Sequence, residues 1–307
     1  MCFNQKKGAF LKMVTKAFLF YAMKKALQYM VISALAFTFL NVFVKSLNSF
    51  NVYQIVFFRS LGSLFFTMPI LLKNKISPFG HKKTLLLMRS IFGLISMTLF
   101  FLSLKYIAMG TAVSIRYIAP IFATCFAFLI LKERVKPIQW LFFAIAFSGV
   151  IVLKGMNTKL QVEGVIFALV SALFAGLVYI TIRKIGNEDH PVVVVNYFMV
   201  VSVIIGGLLS INGWVNPEGK QWLIFSSLGV FGYFAQLYMT KAMQVGETNQ
   251  VAPLKYLEVI FTIIIGLIWF DEIYTLVSLI GILLIVFGLT LNMATKTAGK
   301  LRSFLFK

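Results

Sequence analysis

Charge is scarce in this sequence, and acid is scarcer still. Only 12% of the 307 residues are charged, against roughly 25% in an ordinary soluble domain, and just nine are Asp or Glu. There are two cysteines, Cys2 near the start and Cys125 inside an apolar run, so neither a disulfide framework nor a CxxC metal site can be assembled. Both histidines, His81 and His190, fall between apolar runs, as do the only aspartates, Asp189 and Asp271. HExxH, GxSxG and P-loop motifs are absent, and so is a pair of intramembrane aspartates. An enzyme is therefore not expected, and neither is a metal or a cofactor. The net charge of +20 raises nucleic acid as a partner, but no soluble domain is present to hold a groove.

Apolar residues dominate what remains. They make up 60% of the chain, and the mean hydropathy is +0.92. Lipid must be the solvent, and lipid restricts the backbone to helices or closed barrels. The apolar runs have the length of a helical span rather than the roughly 10-residue alternation of a barrel strand. They lie at 26–44, 53–72, 84–104, 111–131, 138–153, 163–182, 191–211, 221–240, 250–270 and 275–293. The expected fold is all-α and integral to the membrane, with ten transmembrane helices.

Residues 1–25 differ: Lys6, Lys7, Lys12, Lys16, Lys24 and Lys25 interrupt the apolar residues. This segment reads as a basic tail, either an interfacial helix or the result of a start site placed too early, with Met13 or Met23 the true first residue. Lys and Arg then set orientation. With the N-terminus inside, twenty of them fall on inside segments and five on outside segments. The expected location is the cytoplasmic (inner) membrane, multi-pass, with both termini cytoplasmic.

The chain also repeats itself. Arg116-Tyr117, Glu133 and Gly149 recur as Lys255-Tyr256, Glu272 and Gly288, each 139 residues later. Upstream, Lys105 and Gly110 recur as Lys241 and Gly246 at an offset of 136. The halves are residues 26–154 and 163–293, five spans each, followed by a basic tail at 294–307. Five is odd, so the second half enters the membrane from the opposite side. Inverted repeats place substrate near the midplane between halves and exchange access by rocking.

Two stretches carry a family resemblance: GTAVSIRYIAPIFATCFAFLILKERV (110–135) and APLKYLEVIFTIIIGLIWFDE (252–272). In each, a helix opens after a polar turn and closes on an acid. The sequence resembles the EamA family of ten-helix carriers in the drug/metabolite transporter superfamily. The resemblance implies secondary transport of a small organic solute, without ATP. Ala252-Pro253 and Tyr256-Leu257-Glu258 also look like members that take up S-adenosylmethionine or riboflavin. The halves are not equivalent, since Pro120 in the first stands where the second has Val259.

Arg116 and Lys255 lie about five residues into their spans, at equivalent positions of the repeat. A charge there costs at least ~2.5–3.5 kcal/mol, so it faces a cavity or a partner, or it snorkels to the interface. Both are candidate substrate-binding groups for an anion. Glu258 is the only acid within a span and shares a helix face with Lys255. It is a candidate for binding a substrate cation, for proton coupling, or for neutralising Lys255. Tyr117 and Tyr256 follow the two cations and read either as interfacial belt residues or as ligand-stacking groups. Asn41, Ser96, Tyr179, Gln236 and Tyr238 are polar residues in spans, of which one or two are expected to touch ligand. Arg59 and Arg89 have no counterpart in the other half and read as snorkelling or pairing with helix ends. Glu133 and Glu272 sit at span ends and read as caps or anchors. Pro120 and Pro253 should loosen their helices.

The function expected is secondary active transport of a small anionic or zwitterionic metabolite, S-adenosylmethionine-like or amino-acid-like, by alternating access. The alternatives are a lipid-linked flippase of the same superfamily and a non-transporting membrane sensor or enzyme. The partners are a small-molecule solute and the bilayer, not nucleic acid, and the carrier is a monomer or homodimer. Reporter fusions in the loop at residues 212–220 should read outside, and fusions after Lys296 should read inside. A C-terminus found outside contradicts the topology.

Overall fold

A computed structural model describes residues 25–132, 137–155, 161–186, 188–245 and 256–305. Among these the structure is helical and contains no strand. The helices are α1 (Lys25–Ser46), α2 (Val52–Lys73), α3 (Lys83–Tyr106), α4 (Met109–Arg116), α5 (Ala119–Leu131), α6 (Pro137–Gly155), α7 (Val162–Ile185), α8 (Pro191–Ser210), α9 (Lys220–Val245), α10 (Leu257–Trp269) and α11 (Leu276–Leu305). Seven helical stretches are long and apolar enough to cross a bilayer, with α4 and α5 counted together, and three shorter apolar helices bring the spans to ten.

Local chemistry starts several of these helices. Asn51 caps α2 by accepting from the Tyr53 amide at 3.0 Å. Pro137 and Pro191 open α6 and α8, where a missing N–H costs nothing. In the turn before α8, the Asp189 carboxylate accepts from the amides of His81 and Lys82 at 2.6 and 3.0 Å, tying it to the start of α3. Burial alone would raise the pKa of Asp189. The two amides and the His81 ring outweigh burial and hold it below the ordinary carboxylate value.

Two segments differ from the sequence reading. Residues 294–307 read as a tail, yet α11 continues to Leu305. Ala294, Lys296, Ala298 and Leu301 are good helix formers, and a helix need not stop where lipid does. The span read as 111–131 is divided at Tyr117 and Ile118 into α4 and α5. The N-terminal segment, Glu133, Pro253 and Lys255 lie outside the described residues.

Packing between the halves is reciprocal. α2 packs on α8 and α6 on α11, each against its repeat counterpart, and the α2–α9 contact is mirrored by α3–α8. The α6–α11 crossing gives the symmetry operator. A Cβ at Gly149 would lie 2.6 Å from the Gly281 carbonyl oxygen, and one at Gly288 would lie 2.7 Å from that of Phe142. The offset of 139 turns each contact into the other. As residue number rises on α6 it falls on α11, so the helices run antiparallel. A two-fold axis relating antiparallel helices lies across them, which for spans means in the membrane plane. The glycines allow this close backbone approach, as small residues do at membrane helix interfaces.

Polar side chains join the helices elsewhere. Ser96 and Ser171 exchange hydroxyl-to-carbonyl bonds of 2.9 and 2.7 Å between α3 and α7, and Thr67 donates to Asn196 at 3.0 Å between α2 and α8. Gly149→Val and Gly288→Val should each destabilise the protein by at least about 1–3 kcal/mol, because the obstruction is backbone that cannot rotate away. Melting curves in detergent identical to the parent would contradict the reciprocal contact.

Candidate substrate site

The break between α4 and α5 has a covalent cause. Pro120 has no N–H, so the Arg116 carbonyl loses the donor that a continuous helix would supply. α4 ends at Arg116, Tyr117 caps it at φ −68° and ψ −4°, and α5 starts at Ala119. In the second half Tyr256 caps the start of α10 at φ −67° and ψ −14°. These tyrosines are repeat counterparts, and their rings meet edge-on, 5.3 Å between centroids at 89°. Counterparts that touch must lie beside the axis that relates them, so this pair marks a point where the two halves meet at that axis, the centre of the candidate site.

A buried carboxylate sits at that centre. Glu258, 4% exposed, accepts from the Tyr117 hydroxyl at 2.5 Å and from the Asn41 amide at 3.1 Å. Both donors are neutral, and hydrogen bonds to an ionised acceptor are the stronger kind. Three arginines share the neighbourhood. The Arg116 guanidinium lies 4.2 Å over the Phe100 ring. Arg59 and Arg89 flank a single ring, that of Phe198, at 5.9 and 4.4 Å. Arg59 lies within electrostatic reach of both Arg89 and Arg116. None of the three forms an ion pair with a carboxylate among the described residues.

These groups line a cavity of about 90 Å³ walled by α1, α2, α3, α4, α7, α8, α9 and α10. Of the residues expected from sequence, Asn41, Arg116, Tyr117, Tyr179, Gln236 and Glu258 line it, as does Ser96. Tyr256 is not among its lining residues and packs on Tyr117, which is. Tyr238 lies elsewhere, packed on Tyr29 at 5.6 Å and Phe234 at 6.1 Å.

The snorkelling reading of Arg59 and Arg89 is corrected. They are 2% and 5% exposed and line the cavity. The repeat argument set them aside because neither has a counterpart. The signal was their depth alone, since an ionisable residue within a span is a functional candidate by default. Phe198, whose ring both approach, carried no signal among 33 phenylalanines.

Glu272 anchors, as its position at a span end suggested. It accepts from the Met109 amide at 2.8 Å, from the Tyr274 hydroxyl and from Lys45, while Tyr274 accepts from the Gly110 amide at 3.0 Å. The second half thereby caps α4 and ties it to α1 at one end of the bundle. A carboxylate at a helix N-terminus is favoured by the free amides there.

Comparison with known proteins agrees with this architecture. The model of the EamA-like transporter family matches residues 9–154 and 162–294. The chain belongs to that family. Human solute carrier family 35 member G1 is 27% identical over 276 residues, covering 84% of this chain and 76% of the relative. The pseudopaline exporter CntI of Pseudomonas aeruginosa is 24% identical over 260 residues, covering 83% and 91%. A crystal structure at 18% identity superimposes with a TM-score of 0.64 over 91% of this chain and 99% of that one, a likeness of fold alone. This EamA-family chain is a multi-pass membrane transporter and not an enzyme.

Proposed function

We propose that this chain is a secondary carrier that moves a small anionic or zwitterionic metabolite across the cytoplasmic membrane by alternating access, with both termini in the cytoplasm. The observation that carries the proposal is the meeting of Tyr117 and Tyr256 beside a cavity that holds Arg116 and Glu258. A site next to the axis that relates inverted halves can be reached from either face by one rocking motion. Within it, Arg116 supplies a permanent cation for a carboxylate, and Glu258 supplies an acceptor for an amine or a proton. An amino-acid-like zwitterion fits that pair of groups. The charged groups Arg59, Arg89, Arg116 and Glu258, set in an otherwise largely apolar wall, favour a charged solute over a lipid tail.

Binding is read first, by a thermal-shift screen of amino acids and carboxylates on purified protein. Ligand at about 100 times its dissociation constant adds about 2.7 kcal/mol of stability. With the solute so found, Arg116→Ala should weaken binding at least about tenfold, and Lys255→Ala should do the same if the repeat also holds in function. Wild-type affinity in both variants, with expression intact, returns the two cations to snorkelling. In proteoliposomes, Glu258→Gln should abolish pH-driven accumulation and leave part of counterflow exchange. Unchanged pH-driven uptake removes Glu258 as the coupling group.

A further inference from the structure

Arg116 and Glu258 are enough to bind an amino-acid-like zwitterion, and Arg59 and Arg89 are then surplus. Each is nearly fully buried, at 2% and 5% exposure. The Arg59 Nε and the Arg89 Nε and Nη1 are buried donors without a hydrogen-bond partner. Among the described residues, the one hydrogen-bond acceptor Arg59 reaches is the Met97 sulfur, at 2.5 Å, which is a weak acceptor. Glu258 is the sole carboxylate among the lining residues, and it pairs with neither arginine.

A buried charged donor without a partner costs more than the ~1–3 kcal/mol of a neutral one. A guanidinium cannot escape by losing its proton. Rings and water satisfy such groups in part. Two cations within electrostatic reach of each other repel, and an anion that reaches both relieves the repulsion and the unpaired donors together. Glycines leave them room. A Cβ at Gly93 would lie 3.3 Å from an Arg89 terminal nitrogen, and one at Gly232 would lie 3.3 Å from the Arg59 Nε. The planar guanidinium fork fits carboxylate and phosphate oxygens in particular.

We propose that Arg59 and Arg89 form a second anion position in the cavity, so that the transported solute carries at least two separate anionic groups, as a dicarboxylate or a phosphorylated carboxylate does. This rests on the carrier reading above. One anionic group sits between Arg59 and Arg89 beside Phe198, and the other lies at Arg116. The site therefore discriminates by charge number at constant size, since a monoanion leaves one cation position empty.

The full chain, purified in detergent, is titrated at matched ionic strength with succinate, 3-phosphonopropionate and butyrate, and the melting temperature is followed. Succinate or 3-phosphonopropionate should half-saturate at a concentration at least tenfold below that of butyrate, and whichever acts lower tells a second carboxylate from a phosphate-like group. Arg59→Gln and Arg89→Gln should each bring that ratio to within about twofold. Arg89→Lys keeps the charge but loses the fork. It should weaken the dianion several-fold and leave butyrate unchanged, which decides the matter even if the glutamine variants do not fold. A ratio near one in the parent, or a preference that survives in the arginine variants, overturns the proposal. If butyrate still binds and depends on Arg116, the carrier reading stands without it. If no anion binds and Arg116→Ala changes nothing, both fall.

Discussion

Three guanidinium groups at the middle of a bilayer-spanning bundle are the constraint that the rest of this structure answers. A guanidinium keeps its proton in a protein, so it cannot be accommodated by neutralisation as a buried carboxylate or lysine can. It needs rings over which to lie, water, or an anion. Phe100, Phe101 and Phe198 supply the rings for Arg59, Arg89 and Arg116. The cavity supplies space. The single intramembrane acid supplies one negative charge, and it is hydrogen-bonded to Tyr117 and Asn41. A site built this way is complementary to an anion before the anion arrives.

The repeat shows in the packing around the cavity. Counterpart helices pack on each other, counterpart glycines close the α6–α11 crossing, and counterpart tyrosines touch at the centre. α6 and α11 do not line the cavity. Their glycine-lined seam joins the two halves away from the cavity. The Glu272 cluster holds one end of the cavity-lining helices α1 and α4 through an ion pair and a helix cap.

Much of this was legible in the sequence. Apolar runs of span length fix ten helices, since lipid leaves the backbone no other solution. The 139-residue repeat identified Gly149 and Gly288, Tyr117 and Tyr256, and the structure brings each pair to a symmetric place. Asn41, Tyr179 and Gln236 stood out as polar residues in apolar surroundings, and all three line the cavity. Symmetry was also what misled. It raised the residues that repeat and discounted Arg59 and Arg89, which occur once. Symmetry constrains the scaffold and not an asymmetric ligand, so cavity residues can depart from the repeat, as Arg59 and Arg89 do. Tyr238 shows the opposite limit, because residue type and depth did not tell its lipid-side stacking from a cavity position.

Access to the cavity from both faces tests the account most directly. Val178 lines the cavity and is close in size to cysteine. In a background with Cys2→Ser and Cys125→Ala, Val178→Cys is labelled with a charged, membrane-impermeant thiol reagent in right-side-out and in inside-out vesicles. The account predicts labelling from both orientations and protection from both by the stabilising solute. Labelling from one side only, or labelling that the solute does not slow, would contradict a central site exposed alternately to the two faces of the membrane.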